Sequence, residues 1–152
     1  IRTILPSVDV IIGTEEEFFA LLDPDPVKIM EGKPVSSAQR EALPSFLADL
    51  LGSAQGGRTL VVKRGERGVS VYRAKNEVIH TSAFKVEVLN TVGAGDAFAS
   101  GLIYGYLQGW EWQRCCQMGN ACGALTVTRH GCSAVFPTRS EAIDFMNSHG
   151  GF

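Results

Sequence analysis

This sequence predicts a layered α/β fold, a sheet flanked by helices, on three observations. Short β-branched runs, Val8 to Ile12 and Thr59 to Lys63, read as buried strands. Segments with apolar residues at helical spacing separate them, the alternation expected of an α/β layered sheet. Short glycine turns punctuate the strand ends, as at Gly13-Thr14. The chain has 152 residues, 45% apolar and 20% charged, which is enough for one domain with a real core and excludes a disordered chain.

In chain order, Val8 to Ile12 is the first strand, and Glu15 to Leu22 a helix whose acidic first turn suits the helix dipole. Asp23-Pro24-Asp25-Pro26 ends that helix, and an exposed loop runs on to Val35. Ser36 with Gln39 forms a capping box for a second helix with Ala42, Phe46, Leu47, Leu50 and Leu51 as its apolar stripe, and Gly52 to Gly57 ends it. Thr59 to Lys63 is the second strand. Val69 to Tyr72 and Glu77 to Thr81 read as a hairpin or meander turning near Lys75-Asn76. Asn90 to Asp96 is a glycine-rich stretch, followed by helices over Ala97 to Gln108, Glu111 to Thr128 and, after Pro137-Thr138, Arg139 to Asn147. The Glu111 to Thr128 helix is rich in Gly, Ala and Cys and so suited to close packing.

A net charge of -2 supplies no broad basic field, so neither nucleic acid nor an anionic membrane is expected as a partner. The longest apolar runs are far too short to cross a bilayer. No signal peptide is visible, and the chain opens at Ile1 directly in strand-like sequence, which suggests a piece of a longer protein. Cys115, Cys116, Cys122 and Cys132 form no C-x-x-C pair, so reduced structural thiols in the cytoplasm are expected rather than a zinc site.

The sharpest chemical signal is Asn90-Thr91-Val92-Gly93-Ala94-Gly95-Asp96 running straight into an apolar helix. Small residues leave backbone N–H groups uncovered at a helix N-terminus, where the dipole favours a phosphate or the charge that grows on one in flight. A carboxylate in the first turn is well placed to take a proton from an attacking hydroxyl, and phosphoryl transfer needs that combination. The plain alternative is a glycine turn with Asp96 doing no more than capping the dipole. After the second strand, Lys63-Arg64-Gly65-Glu66-Arg67-Gly68 permits close approach of a ligand to the backbone, or is a simple turn feeding a hairpin. Gly119-Asn120-Ala121-Cys122-Gly123 puts small residues on a helix face that admits either a flat ring or a neighbouring helix.

Taken together these stretches resemble the ribokinase-type (PfkB) sugar kinases, whose signature is usually written D-T-x-G-A-G-D. The resemblance covers essentially the whole chain, residues 1–152, and implies the C-terminal, nucleotide-binding and catalytic part of a ribokinase-like layered α/β fold, without the sugar-binding N-terminal part and lid. It implies Asp96 as catalytic base and Gly93, Ala94 and Gly95 as anion hole. It implies Lys63, Gly65, Arg67 and Gly68 along the phosphates of ATP, and Asn120 at the adenine. Gly13-Thr14-Glu15-Glu16-Glu17 resembles the family's N-x-x-E element, with Thr14 at the Asn position and Glu17 organising magnesium-bound water; Glu15 and Glu16 are read as serving their own helix dipole. A K⁺ site would draw on backbone carbonyls of Asn90, Val92, Thr126, Arg129 and Gly131. Asn90 departs from the usual Asp, which keeps the carbonyl but removes a charge.

The resemblance implies an enzyme moving the ATP γ-phosphate to a hydroxyl of a small carbohydrate, with the parent protein a candidate homo-oligomer. Val86 to Asn90 and Arg129 to Cys132 look most like the subfamily acting on 5-dehydro-2-deoxygluconate in inositol catabolism, with fructokinases and 2-keto-3-deoxygluconate kinases as competitors. A non-catalytic nucleotide-binding module is the alternative of a different class. A dinucleotide-binding dehydrogenase would need G-x-G-x-x-G after the first strand, which Gly13-Thr14-Glu15 does not supply.

Overall fold

The computed structural model describes residues 7–22, 35–52, 58–73 and 77–150. The expected Asp23–Pro26 turn, the following loop up to Pro34, residues 53–57 and the Lys75-Asn76 turn lie outside them. Four strands, β1 (Val10–Thr14), β2 (Thr59–Lys63), β3 (Val69–Arg73) and β4 (Glu77–Thr81), form one hydrogen-bonded sheet in the order β1-β2-β3-β4. β1 and β2 run parallel, with Val10 opposite Thr59 and Thr14 opposite Lys63. Between them in sequence lie α1 (Glu15–Leu22) and α2 (Ser37–Gly52), the helical crossover that a parallel pair requires. The later helices are α3 (Ala94–Leu107), α4 (Trp112–Val127) and α5 (Arg139–Ser148). By its contacts the chain divides into two units, residues 1–64 with 70–79 and residues 65–69 with 80–152.

In the first unit, Leu60 and Val62 of β2 pack with Phe18 and Phe19 of α1 and Leu43, Leu47 and Leu50 of α2. The expected α2 stripe is corrected by one position. Leu43 is buried and Ala42 exposed, because the buried face runs 43, 47, 50 at helical spacing, with Phe46 and Leu51 on its flanks. The capping box is present: Gln39 N donates to Ser36 Oγ at 3.2 Å, and Gln39 Oε1 accepts from Ser36 N at 2.8 Å. Pro44 sits inside this helix, where it removes the N–H that would reach the Arg40 carbonyl. Leucine burial on either side of it carries the helix through.

Arg58, just ahead of β2, is 1% exposed. Its Nη1 donates to the Leu50 carbonyl at 2.6 Å and its Nε to the Val8 carbonyl at 2.9 Å. Leu50 lies in the last turn of α2, whose carbonyls have no intrahelical donor, so a buried cation there also meets the negative end of the dipole. Arg58→Met, of similar length but without donors, is expected to destabilise the protein by about 3 kcal/mol, read as a lowered urea midpoint at unchanged slope. A change below about 0.5 kcal/mol would show that water replaces the guanidinium without penalty.

In the second unit, α3 and α4 meet almost backbone to backbone. A Cβ on Gly101 would lie 2.8 Å from both the Met118 carbonyl oxygen and Cys122 Sγ, and one on Gly119 would lie 2.8 Å from the Phe98 ring and 2.9 Å from its carbonyl oxygen. The small residues of α4 thus serve helix packing at these positions, the plainer of the two sequence readings. Cys115, Cys116 and Cys122 are buried free thiols, and burial pushes Cys116 up to about 12 and Cys122 up to about 11. Ala142 and Met146 of α5 join the same core. Thr138 and Glu141 close a full capping box at the α5 N-terminus, with Thr138 N donating to Glu141 Oε2 at 2.7 Å.

Candidate active site

The glycine-rich stretch and the helix after it prove to be continuous. α3 begins at Ala94, three residues before the expected start, so Gly95 and Asp96 belong to its first turn. Gly93 makes this possible. At φ 84° it is the left-handed N-cap, and a Cβ there would press within 3.0 Å of the Phe136 ring and 3.1 Å of Cys132 Sγ. Its carbonyl accepts the Ala97 amide at 2.9 Å, and the Ala94 amide turns back to the Thr91 carbonyl at 3.3 Å. The amides of Gly95 and Asp96 fall at the helix positions with no intrahelical acceptor, and the Asp96 residue is exposed. Two donors, the positive end of a 14-residue helix and a carboxylate thus share one turn.

The turn is fastened from behind. Leu89 N and Asn90 N both donate to the Val127 carbonyl at the end of α4, at 2.8 and 3.1 Å. Asn90 Oδ1 accepts from Val92 N at 3.1 Å, and its Nδ2 donates to the Gly131 carbonyl at 2.8 Å. Thr126 is buried, its hydroxyl donating to the Cys122 carbonyl at 2.8 Å and its carbonyl accepting from Arg129 N at 3.2 Å. The Arg129 guanidinium reaches the Val135 carbonyl at 3.0 Å and Glu141 Oε1 at 2.6 Å. Donation from the Thr138 backbone, then from its hydroxyl and from Arg129, holds the Glu141 carboxyl down to about 2. Sequence reasoning foresaw the lost charge at Asn90 but not the bond its amide donates. The available signal was that Asn, unlike Asp, carries a donor.

Elsewhere in this unit, Gly65–Arg67 is a single 3₁₀ turn closed by Gly68 N donating to the Gly65 carbonyl at 3.0 Å. Gly65, Glu66 and Arg67 are exposed. Gly68, at φ 84°, lies flat against the end of β4, where a Cβ would come within 2.1 Å of the Thr81 carbonyl oxygen. Asn120 reaches the same backbone from α4, its Nδ2 donating to the Ser82 carbonyl at 2.9 Å and more weakly to that of Thr81 at 3.4 Å. Gly68 and Asn120, separate motifs in the sequence, are thereby joined through residues 81–82, and the Asn120 donor is spent inside the protein.

Thr14, Glu17 and Lys63 lie in the first unit. Glu17 N donates to Thr14 Oγ1 at 3.2 Å, and Glu17 Oε2 accepts from Thr14 N, so the two form a capping box at the start of α1. Glu17 is exposed, and Lys63 half-buried at the end of β2. Glu15 does more than serve its helix dipole: Arg64 Nε pairs with it at 3.0 Å, while Arg64 Nη1 and Nη2 donate to Ser70 Oγ at 2.6 Å and the Tyr72 hydroxyl at 2.7 Å. Arg64 is a fixed strut that the sequence reading passed over in favour of its neighbour Lys63.

Comparison with known proteins bears on what such a turn is for. The profile of the pfkB family carbohydrate kinases matches residues 1–139. The chain belongs to the PfkB family. This PfkB chain is 34% identical over 140 residues to the 5-dehydro-2-deoxygluconokinase of Bacillus anthracis, a match covering 92% of this chain and 38% of that protein. A candidate ribokinase II from E. coli, solved in apo form and in complex with ATP and Mg²⁺, superposes with a TM-score of 0.76 at 32% identity, covering 97% of this chain and 42% of that one. Ribokinase from Thermotoga maritima superposes at 0.74 and 28% identity, covering 97% of this chain and 45% of that one. The PfkB chain thus has the ribokinase-like α/β fold and spans less than half the length of these relatives. Among its described residues no helix is long and apolar enough to cross a membrane.

Proposed function

We propose that residues 1–152 are the C-terminal, nucleotide-binding and catalytic part of an ATP-dependent kinase that phosphorylates a hydroxyl of a small sugar or keto-deoxy sugar acid. One observation carries the reading: an exposed Asp96 in the first turn of α3, beside the acceptor-less amides of Gly95 and Asp96. Asp96 takes the hydroxyl proton as the sugar oxygen bonds to the γ-phosphorus and the bond from that phosphorus to the departing ADP oxygen breaks. The Gly95 and Asp96 amides carry the equatorial oxygen charge, and Gly93 and Ala94 shape the turn that presents them. Lys63, Gly65, Arg67 and Gly68 serve the nucleotide's phosphates.

Magnesium arriving with the nucleotide supplies neutralising charge, and Glu17 is the carboxylate suited to hold its water, being exposed and bonded to Thr14 through one oxygen. Asn120 acts at the adenine end by fixing the backbone of residues 81–82, its donor already being committed. The ATP and Mg²⁺ complex of the E. coli neighbour supports the choice of nucleotide and metal. Identity of 34% to 5-dehydro-2-deoxygluconokinase supports a keto-deoxy sugar acid as acceptor.

The test is sugar-dependent ADP release by the full-length protein, with ATP and Mg²⁺, across 5-dehydro-2-deoxygluconate, 2-keto-3-deoxygluconate, fructose and ribose. Release with the first and little with the others is expected. Preference for fructose or 2-keto-3-deoxygluconate would move the substrate and leave the chemistry standing. ATP binding without release for any sugar would favour a non-catalytic nucleotide module.

A further inference from the structure

We infer that the Asn90 carboxamide does in this chain what a monovalent cation would do, so that the loop behind the phosphate-binding turn needs no K⁺. The inference concerns the same site as the kinase reading. Its evidence is that two of the carbonyl oxygens a cation would use, those of Gly131 and Thr126, already accept protein donors.

The Gly131 carbonyl accepts the Asn90 Nδ2 at 2.8 Å, and the Thr126 carbonyl accepts the Arg129 amide at 3.2 Å. The side-chain orientation of Asn90 is set by its two partners. Its Oδ1 faces the Val92 N–H at 3.1 Å, and exchanging the two ends would oppose donor to donor there and acceptor to acceptor at Gly131. A cation drawn to the Gly131 oxygen would therefore meet the positive edge of an amide already bonded to it. Nor does Asn90 bring the negative charge that would offset the cost of stripping water from an ion.

The bridge also performs the mechanical task. It ties the residue three places before Gly93 to the loop that carries Cys132, whose Sγ would stand 3.1 Å from a Cβ on Gly93. Val127 O, gripping Leu89 N and Asn90 N, and Arg129, gripping Glu141, secure the other two sides. Each of these ties is made by a donor of the protein itself.

Asn90→Asp removes one donor and sets a carboxylate oxygen against the Gly131 carbonyl oxygen, a repulsion that a cation bound between them would relieve. In the full-length protein, thermal midpoints are measured in KCl and in choline chloride at equal ionic strength. The wild type is expected to melt at the same temperature in both salts. Asn90→Asp is expected to fall by several degrees in choline and to recover in KCl. Asn90→Ala, which loses the bridge without gaining a charge, is expected to fall equally in both. A wild-type midpoint that rises with K⁺, or an Asn90→Asp protein indifferent to it, overturns the inference. If Asn90→Asp does not fold in choline, refolding it by adding KCl is the expected result, and failure in both salts counts against the inference. Because melting needs no turnover, this result stands apart from the ADP-release test: loss of the kinase reading would leave the salt pattern intact, and the reverse.

Discussion

Asp96→Asn in the full-length protein is expected to lower kcat by about 10²–10⁴-fold while leaving ATP affinity close to wild type. The substitution keeps size and shape and removes the charge and, with it, the basicity. The amides of Gly95 and Asp96 are backbone groups, so the donors for phosphate survive it, and Gly93 at φ 84° still opens the helix. Losing the negative charge from the first turn removes about 0.5 kcal/mol of dipole stabilisation, and by the same token lessens repulsion of an incoming polyphosphate. Titration calorimetry with ATP and a coupled ADP assay separate the two quantities. A near-normal kcat would return Asp96 to the status of a dipole cap. A weakened ATP affinity at preserved kcat would make it a binding residue.

Gly68→Ala is expected to be the most damaging single methyl in the described chain, costing about 4 kcal/mol or more and lowering soluble yield. Two penalties add. The residue sits at φ 84°, where an L side chain costs about 1–2 kcal/mol. Its new methyl would stand 2.1 Å from the Thr81 carbonyl oxygen and 2.7 Å from Ala83 N, both backbone atoms that cannot swing aside. Relief means pushing away the segment that Asn120 grips, so nucleotide binding should fall with stability. Gly65→Ala is the control three residues away. It too has positive φ, at 57°, but with open space around it, so only the conformational penalty of about 1 kcal/mol applies. Equal losses in the two variants, by denaturant unfolding, would show that backbone conformation rather than close approach governs the turn.

Much of this fold could be read from residue patterns, because the relevant forces act locally. β2 and β4 lie where the β-branched runs placed them, and α1 begins and ends as its acidic turn and apolar pattern indicated. The Ser36–Gln39 capping box is a three-residue interval, and such intervals survive any tertiary arrangement. The misses have a common cause. β1 runs Val10–Thr14 rather than Val8–Ile12, since its register is set by pairing with Thr59–Lys63 and not by its own composition. α3 starts early because Gly93 supplies a left-handed cap that allows three residues of the signature, Ala94, Gly95 and Asp96, to join the helix. Long-range fastenings were invisible: Arg58 to Val8, Arg64 to Glu15, Asn90 to Gly131 and Asn120 to Ser82 each join segments whose proximity exists only once the chain has folded. Of the candidate site, the turn and its acid were legible. The commitments of Asn120 and of the Thr126 and Gly131 carbonyls were not.

Where α3 crosses α4, Gly101 faces the Met118 carbonyl and Cys122 Sγ, and Gly119 faces the Phe98 ring and carbonyl, so little more than a thiol and a ring edge separates the two rods. Contacts of that kind transmit displacement instead of absorbing it, as a mortise joint does. A tilt of α4 at Gly119 is therefore passed to Phe98, which follows Asp96 closely in the opening turns of α3. Geometric tolerance at that turn is thus inherited from a neighbouring helix, a dependence invisible in the turn's own residues.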